Sequence, residues 1–578
     1  MKKTISLVIA LIMILAQLSA CGTSPTSAST SSVQNSDSIV DSQATDTEIP
    51  VPEADPSDST DTVESTEEQE PEVTVTYPIV DEGSITLTYF FPLHPTAASY
   101  ITDPMDGNNT TWNLAVEKTG IDLEFMSVSM IVAVEKYNIM IASGEYSDLI
   151  HHSMFNYTGG YDSAIADGVY LNINDYAEEY APDYLRAISS SEANRKDAYT
   201  DSGNLAGFFR LTETPENNWV GPLMRSDWLE DLDLEEPTTL DEWETILTAF
   251  REQKTGGVGP LEMYMAGTPI CNAFVGAYGC SGYYNDYLIQ VDDTVQFSAI
   301  SDGYRDYLER MHTWFSAGLI DEDFVTNAHY LEPDYGRVLL GKTGAFVANY
   351  AHAGTAMAED GTAPEGSSFV MLKYPKLNDT DPDYVMYNPL NASCLKGSVG
   401  DAITTGCEYP VEAVQFMNWF YTDEGKQAAN YGQEGLTFEY MDGQPQYTDM
   451  IVNNPEYSID VTTRIYLCME GPSVIFDAAT DALAEPEQLA YKEIWHNGGI
   501  YNIPSTVTLN TEEGNEVREI YGDIETQVQE FTTSVITGSR ELTDATWENY
   551  VSTIKSMNVD RFVELNQAAY DRYLRRGV

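Results

Sequence analysis

The chain has 578 residues, of which 92 are acidic and 28 are basic, so its formal net charge is −64. So large an acidic excess repels nucleic acid and anionic lipid headgroups, which argues against nucleic-acid binding. The length exceeds what a single hydrophobic core organises and therefore predicts two domains or lobes.

The N-terminus has the order of a secretory signal peptide, which we predict over residues 1–20. Lys2 and Lys3 precede the apolar run 5–15, which is too short to cross a bilayer comfortably. The following Leu18-Ser19-Ala20-Cys21 resembles a bacterial lipobox, in which the cysteine thiol is joined to diacylglycerol. We therefore expect Cys21 to be lipidated. Acyl chains such as palmitate, once buried in the membrane, would anchor the protein there. The alternative is an ordinary signal peptide with a chance cysteine.

Residues 21–76 are the next predicted region, an acidic tether rich in serine and threonine. Residues 22–76 include no lysine, arginine or aromatic residue. Such a composition cannot bury enough apolar surface to offset the entropy of ordering, so we expect disorder. The tether would hold a globular body away from the membrane.

Strand and helix patterns alternate beyond the tether. Residues 85–91 are apolar at every second position, which predicts a strand, and a helical pattern follows over 112–120. A second strand is predicted at 121–125, a second helix ends at Ser143-Gly144, and a third strand begins at Leu149-Ile150. This βαβαβ order predicts a parallel sheet with crossover helices.

A second unit of the same kind is predicted to start near Val220. Leu223-Met224 is strand-like, and Thr239 with Glu242 forms a capping box at the start of a helix. The apolar stripe expected on that helix consists of Leu240, Trp243, Ile246, Leu247 and Phe250. Further predictions are a helix at 304–318, a buried strand ending at Val347, a helix with Pro410 in its first turn and a final helix at 559–574.

Several segments carry a resemblance to a known family. Residues 140–150 read MIASGEYSDLI, 225–229 read RSDWL, 431–435 read YGQEG and 567–573 read QAAYDRY. In this order they resemble family-one extracellular solute-binding proteins, specifically the lipoprotein branch common in Gram-positive bacteria. Two departures are Ser147, where proline is usual, and Tyr409, where histidine is usual.

The resemblance implies a type II periplasmic-binding-protein fold, an α/β class with two lobes, a hinge and a ligand cleft between the lobes. We predict lobe 1 over residues 77–208 with about 335–400, and lobe 2 over about 209–334 with 401–578. A small-residue crossover is the predicted hinge, formed by Gly203, Gly207 and Phe209.

Candidate ligand-binding residues follow from the rule that ligands lie beyond the C-terminal ends of strands in open α/β lobes. The residues that this rule selects are Phe91, His94, His152, Ser153, Arg225, Asn349 and Tyr350. Loop residues expected to face the cleft are Tyr283, Tyr284, Tyr431 and Glu434. Arg225 has an alternative role, because it may instead pair with an acidic neighbour.

The predicted function is capture of a mono- or oligosaccharide for an ABC importer, outside the cell membrane. The expected partners are two permease subunits and an ATPase, and we expect a monomer with no cofactor and no metal. No HExxH, GxSxG or Rossmann glycine pattern is present. Three alternatives stay open: a surface-anchored carbohydrate-active hydrolase, a structural or adhesion lipoprotein without a small ligand, and the same fold binding a peptide or another polar solute.

The disulfide state also stays open. Five cysteines follow Cys21, and none of them has CxxC spacing, so neither a zinc knuckle nor a thioredoxin-like motif is indicated. They are Cys271, Cys280, Cys394, Cys407 and Cys468.

Overall fold

Two sheets with separate hydrophobic cores organise the chain in the computed structural model. It describes residues 74–106, 108–151, 157–205, 207–215, 218–263, 272–281, 286–327, 333–381, 393–495 and 502–576. The predicted signal peptide, Cys21 and nearly all of the predicted tether lie outside these residues.

The strands fall into two sheets and two hairpins. They are β1 (Ile85–Phe90), β2 (Ile121–Met126), β3 (Leu149–His151), β4 (Phe208–Thr212), β5 (Val220–Arg225), β6 (Leu288–Val291), β7 (Thr294–Phe297), β8 (Ala345–Asn349), β9 (Phe369–Met371), β10 (Leu395–Ile403), β11 (Phe438–Met441), β12 (Gln444–Tyr447) and β13 (Val474–Ile475).

The first sheet has the order β13-β4-β10-β3-β1-β2. Strand β1 pairs in parallel with β2 and with β3, as the βαβαβ pattern predicts. Strand β10 arrives from far along the chain and runs antiparallel between β3 and β4.

The second sheet differs from the prediction of another parallel unit. Its order is β8-β5-β9, and β5 is antiparallel to both neighbours. All residues of β5 are buried. A run of residues buried on both faces carries no alternation that could specify the direction of its partners, so the sequence left the direction open.

The helices connect and cover these sheets. They are α1 (Pro95–Ala98), α2 (Thr110–Thr119), α3 (Met130–Ser143), α4 (Gly160–Ala166), α5 (Asn174–Tyr180), α6 (Pro182–Ile188), α7 (Glu192–Ala198), α8 (Ser226–Asp231), α9 (Leu240–Gln253), α10 (Asn272–Val275), α11 (Asp302–Ser316), α12 (Tyr335–Leu339), α13 (Ala356–Glu359), α14 (Pro410–Trp419), α15 (Asp423–Tyr431), α16 (Asp449–Val452), α17 (Ile459–Tyr466), α18 (Asp477–Asp481), α19 (Pro486–Leu489), α20 (Tyr491–Ile494), α21 (Thr511–Ile536), α22 (Asp544–Ser556) and α23 (Val559–Leu574). Short 3₁₀ turns occupy Gly276–Tyr278, Ser298–Ile300 and Tyr350–His352.

The predicted helix boundaries have the expected caps. Helix α3 ends at Gly144, whose φ of 73° is left-handed, and Thr239 with Glu242 closes a capping box on α9. Pro410 opens α14, and α23 has the predicted limits. None of the described helices is both long and apolar enough to cross a membrane.

Buried apolar side chains separate into two large clusters. The first core draws on residues 85–211 and 395–468, and the second core on residues 220–374 and 495–573. The chain therefore passes between the cores in three connecting segments, at 213–219, 375–394 and 476–494.

The core membership differs from the predicted lobe boundaries. Residues 345–374 pack in the second core because β8 and β9 pair with β5. Residues 402–468 pack in the first core because β10 pairs with β3 and β4. Both pairings join segments far apart in the chain, which periodicity alone does not reveal.

Candidate functional site

A cavity of about 820 Å³ is lined by residues of both cores and of the segments that connect them. Its first-core lining includes Phe91, Pro92, Leu93, His94, Trp112, Arg210, Asp460, Thr463, Arg464, Cys468 and Glu470. Its second-core lining and the connecting segments contribute Thr214, Trp219, Asn349, Tyr350, Asp477, Gln488, Tyr491 and Lys492. A volume of this size suits a ligand of several ring units, since drug-sized ligands occupy roughly 300–1,000 Å³.

The end of β1 supplies an aromatic wall of the cavity. The Phe91 ring stacks on His151 with a centroid distance of 4.4 Å and meets Trp112 edge-to-face at 5.5 Å. His151 is itself buried in the first core, where its Nδ1 lies 2.7 Å from Asp401 Oδ1. These contacts fix the Phe91 ring in one orientation at the cavity surface.

His94 lies three residues further on, where it caps α1. Its Nδ1 accepts a hydrogen bond from Thr96 N at 3.3 Å. Burial lowers the pKa of His94, and the positive charge of Arg464 lowers it further. The imidazole is therefore neutral at neutral pH, with one ring nitrogen committed to the helix N-terminus.

The end of β8 supplies the facing wall. Tyr350 follows Asn349, and its ring stacks on Tyr491 at a centroid distance of 4.3 Å and an interplanar angle of 13°. Trp219 directly precedes β5 and lines the same wall. Three large rings packed against the second core thus line the same cavity as the aromatic residues of the first core.

A group of charged side chains lines the same cavity. Arg464 Nε donates to Asp460 Oδ1 at 2.8 Å, and its Nη1 forms an ion pair with Glu470. Burial favours a raised pKa for Glu470, but Arg464 and Arg210 hold that pKa below its ordinary value. The carboxyl of Glu470 is therefore ionised and accepts hydrogen bonds in the cavity.

Four predicted ligand-binding residues line the cavity: Phe91, His94, Asn349 and Tyr350. Arg225 lies elsewhere. Its Nε and Nη2 donate to Asp227 at 2.7 and 2.5 Å, and its guanidinium lies 4.4 Å from the Trp228 ring centroid. The structure therefore has the alternative arrangement, in which Arg225 pairs with an acidic neighbour.

The direction of β5 explains this difference. Because β5 is antiparallel to β8, Val220 pairs with Asn349, and Arg225 lies at the other end of β5. The C-terminal end of β8 and the N-terminal end of β5 therefore meet at the cavity. The rule for parallel strands selected Arg225, whereas the residue that reaches the cavity is Trp219.

Two other predicted residues are also outside the cavity lining. Tyr431 is buried in a small cluster with Phe438 and Ala479, and Glu434 is exposed beside it. His152, Ser153, Tyr283 and Tyr284 lie outside the described residues.

The predicted hinge segment belongs to the first core. Phe209 lies in β4 and is buried there, and a Cβ on Gly207 would lie 2.7 Å from the Tyr161 hydroxyl. Gly203 has a left-handed φ of 76° in a turn before that strand. The chain leaves the first core only after Thr212, because β4 continues the sheet to that residue.

Several cavity residues were missed from the sequence: Trp112, Arg210, Trp219, Arg464, Glu470 and Tyr491. Arg210 had a usable signal, because it is a charged residue inside the apolar run of β4. Arg464 and Glu470 reach the cavity through the packing of α17 beside α1, a contact between segments far apart in the chain.

The arrangement offers aromatic faces together with paired donors and acceptors. Within the described residues, no group of three or more His, Cys, Asp or Glu side chains is placed to hold a metal ion. Cys280, Cys394, Cys407 and Cys468 are free thiols, and Cys271 lies outside the described residues.

Curated relatives extend over much of the chain at low identity. Lipoprotein LipO of Bacillus subtilis (strain 168) is 22% identical over 409 residues, which cover 65% of this chain and 75% of LipO. The fructooligosaccharide ABC transporter substrate-binding protein FusA of Streptococcus pneumoniae is 23% identical over 270 residues, which cover 43% of this chain and 47% of FusA. No protein-family model matches the chain.

Solved structures share the fold. An HMO-binding, ABC-transporter-associated solute-binding protein from Bifidobacterium longum infantis superposes with a TM-score of 0.68 and 16% identity, covering 85% of this chain and 99% of that one. The predicted resemblance to extracellular solute-binding proteins is confirmed, and the fold is of the type II periplasmic-binding-protein class.

Proposed function

We propose that this protein is an extracellular, lipid-anchored solute-binding protein that captures a carbohydrate for an ABC importer. The observation that carries the proposal is the cavity of about 820 Å³, which is lined by aromatic rings from both cores and by paired polar groups. Sugar rings have apolar C–H faces that stack on aromatic rings, and hydroxyls that need both donors and acceptors. The similarity to FusA, a fructooligosaccharide ABC transporter substrate-binding protein, supports the same ligand class.

Capture proceeds without chemistry. Tyr350, Tyr491 and Trp219 stack on the sugar rings, while Arg464 and Glu470 bond to hydroxyls. Rotation of one core toward the other closes the cavity around the ligand, and the closed form docks on the permease subunits of the importer. The protein acts as a monomer and is not an enzyme.

The lipid anchor is part of the proposal and has its own test. Cys21 would carry the acyl chains at the outer face of the cell membrane, and the name of LipO supports a lipoprotein. Cys21→Ser should release the protein into the culture medium, whereas Cys280→Ser should leave it in the membrane fraction. Equal retention of both variants in the membrane fraction would contradict lipidation at Cys21.

Isothermal titration calorimetry tests the ligand class. The soluble body would be titrated with fructo-, xylo-, manno-, cello- and galacto-oligosaccharides, with uronic acid oligomers and with peptides. We expect saturable binding of an oligosaccharide and a raised melting temperature, because a ligand that binds only the folded form stabilises it. Trp219→Ala should weaken that binding. Binding of peptides alone would show that the ligand is a peptide and not a carbohydrate. Absence of any binding would contradict the proposal.

A carbohydrate-active hydrolase is the alternative function, and product analysis distinguishes it from a binding protein. Incubation of the pure protein with each oligosaccharide should leave the sugar intact. Appearance of shorter products in proportion to protein and time would support the hydrolase instead.

A further inference from the structure

The cavity is electrically balanced in a strongly acidic protein. Its lining within the described residues includes three cations, Arg210, Arg464 and Lys492, and three carboxylates, Asp460, Glu470 and Asp477. The chain as a whole has 92 acidic and 28 basic residues. The lining thus holds neither the acidic excess of the rest of the chain nor the basic excess that an anionic ligand would favour.

The cations in the lining are paired with carboxylates. Arg464 forms ion pairs with Asp460 and Glu470 of the lining, and Lys492 forms one with Asp481, which is outside the lining. The positive charge of Arg210 acts on Glu470, whose pKa it helps to lower. These cations already have partners before any ligand enters.

An anionic ligand would have to compete with these partners. A carboxylate that approached Arg464 would meet Glu470 and Asp460 beside it, and repulsion between like charges opposes such a contact. An uncharged hydroxyl meets no such opposition. The Arg464–Glu470 pair offers an N–H donor next to a carboxylate acceptor, which matches two adjacent hydroxyls that donate and accept at once.

We infer that the ligand of this cavity is an uncharged oligosaccharide, whose neighbouring hydroxyls are bound by the Arg464–Glu470 pair. The inference rests on the proposed function and narrows it to neutral sugars. It makes Glu470 a specificity-determining residue, because loss of its charge would leave the cavity with an excess of positive charge.

Calorimetry with matched neutral and acidic sugars tests the inference. The probes are galacto-oligosaccharides against oligogalacturonates, manno-oligosaccharides against mannuronate oligomers, and lactose against sialyllactose. We expect binding only among the neutral members, with a Kd that changes less than about twofold between 0.05 and 0.5 M NaCl, because salt screens only interactions between charges. Equal or tighter binding of an acidic member overturns the inference and leaves the proposed function standing. If no sugar binds, the proposed function fails and the inference falls with it.

The variant Glu470→Gln gives the second measurement. It keeps the shape of the side chain and removes its negative charge, so neutral sugar binding should weaken about tenfold. The acidic partner of that sugar should bind measurably tighter than to the wild type. The control is Glu516→Gln, which removes a carboxylate bonded to Arg561 at 2.8 and 2.9 Å outside the cavity. Unchanged preference in Glu470→Gln, with both variants melting as the wild type does, would overturn the role of Glu470.

Discussion

Arg576 Nε donates to Asp201 Oδ1 at 2.6 Å and so ties the chain end that follows α23 to the turn that follows α7. The other oxygen of Asp201 accepts from Arg572 Nε at 2.9 Å, and Arg572 also bonds to Glu513 at the start of α21. Helices α21 and α23 pack in the second core and α7 in the first. The two cores are therefore joined by an ion-pair network outside the large cavity.

Asp201→Asn should destabilise the protein by about 3 kcal/mol, because it leaves the charge of Arg576 without its carboxylate in a site where only 3% of that side chain is exposed. Urea unfolding measures the effect. The control Asp544→Asn breaks a pair with Arg305 in which the aspartate is 83% exposed, and it should cost about 1 kcal/mol or less. Equal losses in the two variants would contradict a stabilising link between the cores.

Tyr350→Ala should weaken binding of the proposed oligosaccharide ligand about tenfold, because the stacked rings of Tyr350 and Tyr491 line the cavity. Tyr350→Phe keeps the ring and should bind within about twofold of the wild type. Tyr440→Ala serves as the control, since Tyr440 is exposed and outside the lining. Calorimetry that finds wild-type affinity in Tyr350→Ala would exclude a stacking role.

The pH dependence of stability should include a contribution from His94. Burial, and then Arg464, lower the pKa of His94 in the folded state. A histidine whose folded pKa is lowered contributes stability above its unfolded pKa of about 6.5, and this contribution is lost as the pH falls through the folded pKa. His94→Gln should therefore lose less stability than the wild type between pH 7 and pH 5 in urea unfolding. His312→Gln, on the second core, is the control. Parallel profiles for wild type and His94→Gln would contradict the prediction.

Asp401→Asn should destabilise the protein by about 3–5 kcal/mol, because it leaves a buried polar network incomplete. The Asp401 side chain is fully buried in β10, where Oδ1 lies 2.7 Å from His151 Nδ1 and accepts from the Tyr89 hydroxyl. Asp423→Asn, in an exposed pair with Lys426, should change stability by less than about 1 kcal/mol. Chemical denaturation compares the two, and a small effect at Asp401 would show that the network contributes little.

The described cysteines should react slowly in the folded protein. Burial raises the pKa of Cys280 to about 11 and of Cys407 to about 12, so few thiolates exist at pH 8. Iodoacetamide labelling followed by mass spectrometry should find both sites unmodified at pH 8 until denaturant is added. Cys280 should become reactive only as the pH approaches 11. Rapid labelling at pH 8, or a disulfide at either residue, would contradict this prediction.

Periodic segments allowed reliable prediction from the sequence alone. All five residues of the predicted stripe on α9 are buried, and α23 has its predicted limits, because one face of each helix packs in the second core. The alternation of Ile85, Leu87 and Tyr89 likewise gave β1 its correct place and its buried face. Here the local pattern contains the physical information that determines the element.

The site was only partly predictable, because its geometry depends on strand direction and on distant contacts. Phe91 and Tyr350 were found since each follows a strand that ends at the cavity. Arg225 was selected by the same rule, but it lies at the end of β5 that is away from the cavity, because β5 is antiparallel to β8. Glu470 comes to the cavity only through the folding of residues 459–470 against the β1 end, which no local pattern encodes.

The connecting segments themselves line the cavity, through Thr214 in the first and Asp477 in the third. A ligand bound in the cavity would therefore contact the connecting segments as well as residues of the two cores. A change in the backbone torsions of these segments would therefore move residues that line the cavity. A substitution in one of these segments would therefore change both the connection between the cores and the lining of the cavity.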